Sequence, residues 1–239
     1  MFRKIRTTLA VVFWVLITWL LLDFTGAAHT YLGWMARIQF MPAVLALNVG
    51  ALLFIVALTL LLGRIYCSVI CPLGVMQDAI ARLRRKRFKY RYSEARNLLR
   101  YACLAFAGLM LVLNLGWAAS LLMPYGTYGR IVGSLVAPLY KMGNNALAGL
   151  AEHYDSYAFY SVDVWVKSLP ALVISLVMLV VIGLLAWRGG RTWCNTVCPV
   201  GTLLGLIARR TLCRPVIDTS RCNGCGLCAR SCKSACIDS

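Results

Sequence analysis

Four long apolar stretches constrain the fold more strongly than any other feature of this sequence. They cover about residues 7–22, 41–63, 98–123 and 169–187 of a 239-residue chain that is 61% hydrophobic. A helix needs roughly twenty apolar residues to cross the hydrocarbon core of a bilayer, where it satisfies its own backbone hydrogen bonds. We therefore predict an all-α integral membrane protein with about four transmembrane helices in contact with membrane lipid.

The first apolar stretch is open to two interpretations. Basic residues at positions 3, 4 and 6 precede it and the small residues 26–28 follow it, which is also the pattern of a secretory signal peptide. Because further spans follow, we interpret it as an uncleaved first span. Residues 124–165 are too often interrupted by glycine, proline, asparagine and acidic residues to predict a span. Their tyrosines, with Trp165, predict a platform at headgroup level on the outer side.

Lysine and arginine are distributed unevenly between the connecting segments. Residues 1–6, 64–100 and 188–233 carry 21 of them, whereas the segments on the other side of the predicted spans carry 4. Basic residues collect on the cytoplasmic side of membrane proteins, so both termini and every cysteine motif are predicted to be cytoplasmic. This topology accounts for the formal net charge of +17. Without a recognisable binding module, the charge does not indicate nucleic acid.

An internal repeat places two cysteine pairs on that side. Residues 191–201 match residues 64–74 at a constant offset, and each copy contains a C-x3-C-P motif after a predicted span. The four cysteines are Cys67, Cys71, Cys194 and Cys198. Four soft thiolates are enough for one metal or redox site. The alternative is a set of buried or disulfide-bonded cysteines, and a cytoplasmic location disfavours stable disulfides.

The last residues of the chain carry a C-x2-C-x2-C-x3-C motif, formed by Cys222, Cys225, Cys228 and Cys232. Bacterial ferredoxins hold a 4Fe-4S cluster with this spacing. Gly224 and Gly226 permit the tight loop that brings four sulfurs to one cluster. A zinc knuckle is the alternative, but zinc sites usually pair two separated C-x2-C units. We predict a membrane domain over residues 1–212 and a small ferredoxin-like segment over residues 213–239.

The fourth ligand and the number of clusters stay open. The chain has one ferredoxin motif, and Lys233 follows Cys232 where the bacterial run has proline. Cys232, Cys236 or Cys213 could complete one cluster, or the natural chain could continue beyond Ser239 as a longer protein. One 4Fe-4S cluster is predicted in the tail, and the repeated motifs are candidates for a second.

With these motifs, nearly the whole chain resembles the NapH/NosR-type polyferredoxin-like membrane proteins of anaerobic respiratory systems. The resemblance implies a multi-pass protein of the bacterial inner membrane. It also implies electron transfer between the quinone pool, or another membrane donor, and a redox partner protein. The chain would then be an electron-transfer component, such as a quinol dehydrogenase subunit, rather than a stand-alone enzyme, and no catalytic residue is assigned.

Two other functions compete with electron transfer. In a metal-handling or maturation factor, the paired thiols would receive copper(I) or reduce a partner's metal. In a redox sensor, an exposed cluster would report oxygen or electron supply. The sequence has neither a Rossmann glycine fingerprint nor a P-loop, which argues against nucleotide chemistry by those routes.

Overall fold

The computed structural model describes residues 2–84, 94, 96–153, 160–164, 168–213, 218, 220, 222–232, 234 and 236–237. Every regular element within them is helical, which confirms the all-α prediction. The α-helices in chain order are α1 Phe2–Leu22, α2 Ala27–Arg37, α3 Phe40–Leu45, α4 Val49–Leu62, α5 Pro72–Leu83, α6 Asn97–Val112, α7 Gly116–Leu122, α8 Pro124–Ile131, α9 Ala137–His153, α10 Leu169–Gly189, α11 Thr192–Thr196, α12 Pro199–Ile207 and α13 Leu227–Ser231. Two π-helical turns cover Tyr66–Ile70 and Val132–Val136, and a 3-10 turn covers Ala208–Arg210.

Two helices in the described part of the chain are long and apolar enough to cross a membrane. They are Lys4–Leu22 within α1 and Leu169–Gly189, which is α10. Both coincide with apolar stretches from which spans were predicted. Their large apolar side chains are widely exposed, for example Val15, Trp19, Val173 and Leu184. Such surfaces suit contact with lipid rather than water.

The second and third predicted spans are each divided into two helices. The first break is at Leu47, whose φ is +50°, and Asn48 then caps α4 by accepting a hydrogen bond from the Ala51 N–H at 3.1 Å. The second break is at Asn114, with a φ of +58°. Asparagine tolerates this left-handed region better than most residues. Helix α4 has 14 residues, about 21 Å, which is less than a hydrocarbon core of roughly 30 Å.

Residues 124–153 differ from the predicted surface platform. They form one continuous helical stretch, α8 and α9 joined through the second π-helical turn, which ends two residues before Pro138. In a regular helix the proline ring would clash with the carbonyl four residues earlier, that of Ser134, which lies within this turn. The first half of this stretch is buried against α1, α5 and α10, and Tyr128 is only 2% exposed. The second half keeps aromatic residues near the surface. The ring centroids of Tyr140 on α9 and of Tyr160, which follows the stretch, each lie 6.0 Å from that of Phe24. Residues 85–93, Tyr154, Tyr157 and Trp165 lie outside the described residues.

The two repeats exchange packing partners at the centre of the molecule. Helix α5, which follows the first C-x3-C-P motif, packs against α10, the helix that precedes the second motif. Helix α12, which follows the second motif, packs against α4 and α6. The fully buried side chains of Leu73, Val200 and Leu204 form part of this core. The exchange brings the two motifs side by side.

Candidate metal centre

Each motif begins where a glycine ends an apolar helix. Gly63 after α4 and Gly190 after α10 have φ values of +72° and +70°. The Gly63 N–H donates to the Thr59 carbonyl at 2.9 Å, and the Gly190 N–H donates to the Ala186 carbonyl at 3.0 Å. Positive φ favours glycine. The repeat therefore starts one residue before the arginines with which the sequence match began.

The second cysteine of each motif is placed by the same backbone hydrogen bond. The Cys71 N–H donates to the Tyr66 carbonyl at 2.9 Å, and the Cys198 N–H donates to the Trp193 carbonyl at 3.0 Å. A bond across five residues is of the π-helical type, which is rare and frequent at functional sites. After each of these cysteines, proline occupies the first turn of α5 or α12, where its missing N–H costs nothing.

A glycine three residues after the second cysteine is required sterically in both repeats. A Cβ at Gly74 would overlap the carbonyl oxygen of Cys67, and a Cβ at Gly201 would overlap the carbonyl oxygen of Cys194. The start of α5 or α12 thus lies directly on the backbone of the first cysteine. The C-P-x-G sequence is the local reason why the two cysteines of each motif come together.

The four predicted cysteines are buried free thiols, each no more than 6% exposed, and hydrogen bonds from Arg64 and Gln77 connect the two motifs. Burial raises the pKa of all four, that of Cys194 to about 12. Negative charge on neighbouring sulfurs raises it further, since Cys71 interacts with Cys67 and Cys194, and Cys198 interacts with the other three. Without a compensating cation these groups are neutral thiols at pH 7.

Polar residues of α5 contact the second motif. Arg191 forms a bidentate ion pair with Asp78, at 3.0 Å from Nε and 2.9 Å from Nη2, and both side chains are 12% exposed. Burial lowers the pKa of Arg191, but the Asp78 carboxylate outweighs it and raises that pKa. The fully buried Gln77 donates from Nε2 to the Cys194 Sγ at 3.5 Å. The sequence analysis missed Gln77 and Asp78. The sequence feature that could have revealed them is the presence of an amide and a carboxylate, side by side, shortly after the apolar residues of the first motif.

A second buried network holds the first motif. The Tyr66 hydroxyl donates to Gln39 Oε1 at 3.0 Å and accepts from the Phe40 N–H at 2.9 Å. Gln39 Nε2 donates to the Ile70 carbonyl at 3.2 Å. The start of α3 is thereby bonded to both ends of the first π-helical turn. This also places residues 39–40, predicted to lie near the outer side, beside the cysteines.

Asn195 joins the two motifs and the tail. Its Oδ1 accepts from Arg64 Nη1 at 2.8 Å, and its Nδ2 donates to the Ser234 carbonyl at 2.9 Å. Arg64 belongs to the first motif and Ser234 lies just beyond the ferredoxin-like cysteines. At Ser234 the tail is therefore packed against the two C-x3-C-P motifs rather than extended away from them.

The tail has the backbone expected of a ferredoxin loop. Gly224 and Gly226 have φ values of +66° and +65°, and α13 begins directly after Gly226. Cys222 and Cys225 are exposed, whereas Cys228 and Cys232 are partly buried. The Cys232 and Cys236 sulfurs lie 3.5 Å apart. Cys213 is exposed and lies beside the end of α4, because its N–H donates to the Leu61 carbonyl at 3.2 Å.

The fit of an iron–sulfur group rests on the chemistry of these donors. Within the described ranges, no three Cys, His, Asp or Glu side chains lie close enough together to enclose a metal ion. The donor type nevertheless fits, because both sets consist of soft sulfur ligands. In the paired motifs the Gly201 N–H donates to the Cys198 Sγ at 3.4 Å, and such bonds stabilise a ligating thiolate.

Comparisons with known protein families identify the cysteine motifs as iron–sulfur regions. One 4Fe-4S binding domain family is matched twice, by residues 44–91 and by residues 169–217. A second 4Fe-4S binding domain family is matched by residues 215–238. Each C-x3-C-P motif falls within one of the first two matches, and the ferredoxin-like cysteines fall within the third. The predicted 4Fe-4S cofactor is confirmed at this level.

Similar proteins carry ferredoxin-type names. The chain is 28% identical over 188 residues to the ferredoxin-type protein NapH of Haemophilus influenzae, covering 78% of this chain and 53% of that protein. It is 27% identical over 213 residues to the methylamine utilization ferredoxin-type protein MauN of Paracoccus denitrificans, covering 89% and 63%. It is 26% identical over 193 residues to NapH of Escherichia coli, covering 80% and 55%. The chain thus spans little more than half the length of these relatives. No solved structure matches it.

Proposed function

The chain belongs to the NapH-type family of ferredoxin-like proteins, and we propose that it is a membrane-bound component that relays electrons. The donor would be the quinone pool or another membrane donor, and the acceptor a redox partner protein. The observation that carries the proposal is the coincidence of both 4Fe-4S family matches with the cysteine motifs that the fold packs against one another. The chain spans only part of its relatives, so its partners are inferred from this site alone.

In this proposal Cys222, Cys225, Cys228 and Cys232 hold one 4Fe-4S cluster. Such a cluster takes up and releases one electron with little rearrangement, at a potential set by hydrogen bonds and solvent exposure. The chain supplies the loop at Gly224 and Gly226, and the Asn195 hydrogen bond that holds Ser234 against the second motif. The exposed Cys222 and Cys225 would face a redox partner.

Cys67, Cys71, Cys194 and Cys198 would hold a second group within the helical bundle. Their burial requires the charge of a bound cation or cluster before all four can ionise, and binding would release their protons. Arg64 and Arg191 favour the ionised form of Cys67, because their positive charges lower its pKa against the larger effect of burial. The turns that carry these cysteines pack against α1 and α10, the two helices long enough to cross a membrane, so this site is the candidate for the quinone side.

The proposed topology has four membrane crossings with both termini in the cytoplasm. Helices α1 and α10 would each cross alone. Helix α4 would cross on its own, because α3 starts beside the first motif, and the pair α6–α7 would cross as a broken helix. Exposed apolar side chains on α4 and α6, among them Leu53, Phe54, Phe106 and Leu109, support lipid contact. The excess of basic residues at the segments after α4 and α10 supports the orientation.

The test is the content of iron and acid-labile sulfide in anaerobically purified, detergent-solubilised protein, with low-temperature electron paramagnetic resonance after reduction. About four iron atoms per chain are expected for the tail cluster alone and about eight if the paired motifs also hold a cubane. Cys225→Ser should remove the tail signal, and Cys103→Ser on α6 is the matched control that should keep it. No iron, with zinc or copper bound instead, would overturn the proposal in favour of metal handling.

A further inference from the structure

The tail is attached to the membrane domain at two described places. The first is the end of α4, where the N–H groups of Leu212 and Cys213 donate to the carbonyls of Leu60 and Leu61 at 2.9 and 3.2 Å. These carbonyls belong to the last turn of a helix, which has no intrahelical donors for them. The second is the Asn195 bond to Ser234. The ferredoxin-like cysteines lie between the two attachments.

Asn195 uses both ends of its amide at once. The oxygen accepts from Arg64 and the nitrogen donates to the Ser234 carbonyl. The two contacts fix the amide orientation, because the guanidinium can only donate and the carbonyl can only accept. At the equivalent position of the first repeat, Ser68 instead donates to its own neighbour, the Ile65 carbonyl, at 3.0 Å. The contact with the tail is thus a property of the second motif.

Arg64 lies between the two cysteine sites. Its guanidinium packs over Gly205, where an added Cβ would lie 2.5 Å from Nη2 of Arg64 and 3.3 Å from Nη2 of Arg100. Arg64 lies three positions before Cys67 in the first motif, and its Nη1 donates at 2.8 Å to Asn195, which holds Ser234 between Cys232 and Cys236. One guanidinium is therefore adjacent in the chain to the buried site and joined through a single amide to the tail.

We infer that Asn195 is a positioning residue that docks the ferredoxin-like tail onto the paired motifs, and that Arg64 is a cation shared by the two cysteine sites. The inference rests on the proposed function for its redox consequence and deepens it by naming the residues that couple the sites. Asn195 sets the position of the tail, because it makes the bond to Ser234. Arg64 supplies the positive charge, because it lies three positions before Cys67 and its guanidinium donates to the amide that holds the tail.

The docking is tested by hydrogen–deuterium exchange of the full chain in detergent, followed in peptides covering residues 222–237. Asn195→Leu removes both hydrogen bonds, and Asn195→Asp keeps the acceptor for Arg64 but lacks the donor for Ser234. More than tenfold faster exchange is expected in both variants. Asn145→Leu is the matched control, because Asn145 also uses both ends of its amide, each at 2.8 Å to Val162. Wild-type exchange in Asn195→Leu would overturn the docking role.

The shared charge is tested by redox titration of the tail signal. Arg64→Gln keeps a hydrogen-bond donor toward Asn195 and removes the positive charge. Hydrogen–deuterium exchange in the tail should therefore stay at the wild-type rate. The midpoint potential of the tail cluster should fall, because the reduced cluster carries more negative charge. Arg64→Lys should restore the potential, which a purely structural role would not do. An unchanged potential in Arg64→Gln would overturn the charge assignment. If the wild-type chain holds no iron, the proposed function fails, whereas the exchange comparison still decides whether Asn195 docks the tail.

Discussion

The two C-x3-C-P repeats share a backbone but differ in the side chains around their sulfurs. Both begin at a left-handed glycine and both need a glycine against the first cysteine's carbonyl. The differences are at positions that pack across from the other repeat. Asp78 in the first repeat corresponds to Gly205 in the second, and Gln77 corresponds to Leu204. The comparison indicates that both copies need the same backbone conformation. The two copies differ in the polar side chains around their sulfurs, and these side chains would give them different roles.

The consequence is that the arginines preceding the two motifs have different partners. Arg191 pairs with the Asp78 carboxylate inside the bundle. Arg64 lies over Gly205, which has no side chain to pair with it, and reaches Asn195 instead. Arg64 is therefore joined to the tail through Asn195, while Arg191 is held within the helical bundle. Variants that make the repeats more alike test this interpretation.

The largest effect is expected from Asp78→Gly, which gives the first repeat the residue of the second. Arg191 would keep its charge in a buried position without the carboxylate, and breaking a buried pair from one side costs about 3–5 kcal/mol. The midpoint of thermal unfolding in detergent, followed by tryptophan fluorescence, should fall accordingly. Asp163→Asn, at an exposed position, is the control and should leave the midpoint within error.

Asp78→Gly removes both the carboxylate partner of Arg191 and the volume of the Asp78 side chain. The double variant Asp78→Leu with Arg191→Leu distinguishes these two causes of instability. Replacing both members of a buried pair by apolar residues is often nearly neutral. The double variant should therefore recover most of the stability that Asp78→Gly loses. If the double variant is as unstable as the single one, the ion pair is not the reason for the loss.

A smaller and symmetrical effect is expected from Gly74→Ala and Gly201→Ala. Each added methyl group meets a backbone carbonyl that cannot rotate away. Overpacking typically costs about 1–3 kcal/mol, and the cost should be similar in the two repeats because the contact is the same. Gly149→Ala on α9 has open space around its Cβ and should be neutral or slightly stabilising. A loss confined to one repeat would show that the two backbones are not equivalent in solution.

The repeat is also where prediction from sequence succeeded best. In the structure all four C-x3-C-P thiols are buried, and Arg64 and Gln77 of the first repeat contact the second motif, while one site shared by the four cysteines stays a prediction. Proline and glycine made this possible, because their backbone preferences are local and visible in one sequence. The apolar helices α1 and α10 were predictable for the same reason, since length and hydropathy are properties of a single segment.

The features that were missed depend on contacts distant in sequence. Residues 124–165 were predicted to form a platform at headgroup level because of their glycine, proline, asparagine and acidic residues and their tyrosines, yet helix–helix packing buries several side chains of residues 124–135, Tyr128 among them. The breaks at Leu47 and Asn114 interrupt otherwise apolar stretches, and hydropathy does not record a single left-handed residue. Asp78 and Arg191 are 113 positions apart in the sequence, so no local sequence pattern predicts their ion pair.

The smallest effect on stability is expected from Gln77→Leu, which again copies the second repeat into the first. The lost contact is a weak hydrogen bond between an amide and the Cys194 sulfur, at 3.5 Å, and leucine fills a similar volume. The free energy of unfolding should change by about 1 kcal/mol or less. The informative readout is thiol reactivity, because the thiolate is the reactive form.

Burial raises the pKa of Cys194 to about 12, and the bond from Gln77 opposes that rise. Without Gln77 the pKa should be higher still, so in iron-free protein Cys194 should react more slowly with iodoacetamide at pH 10, while the exposed Cys222 reacts at the wild-type rate. Leu204→Gln places an amide at the equivalent position of the other repeat and should leave the rate at Cys194 unchanged. Faster alkylation of Cys194 in Gln77→Leu would mean that the amide shields the thiol rather than stabilises its ionised form. The chemical difference between the repeats would then lie in access to the sulfur and not in its charge.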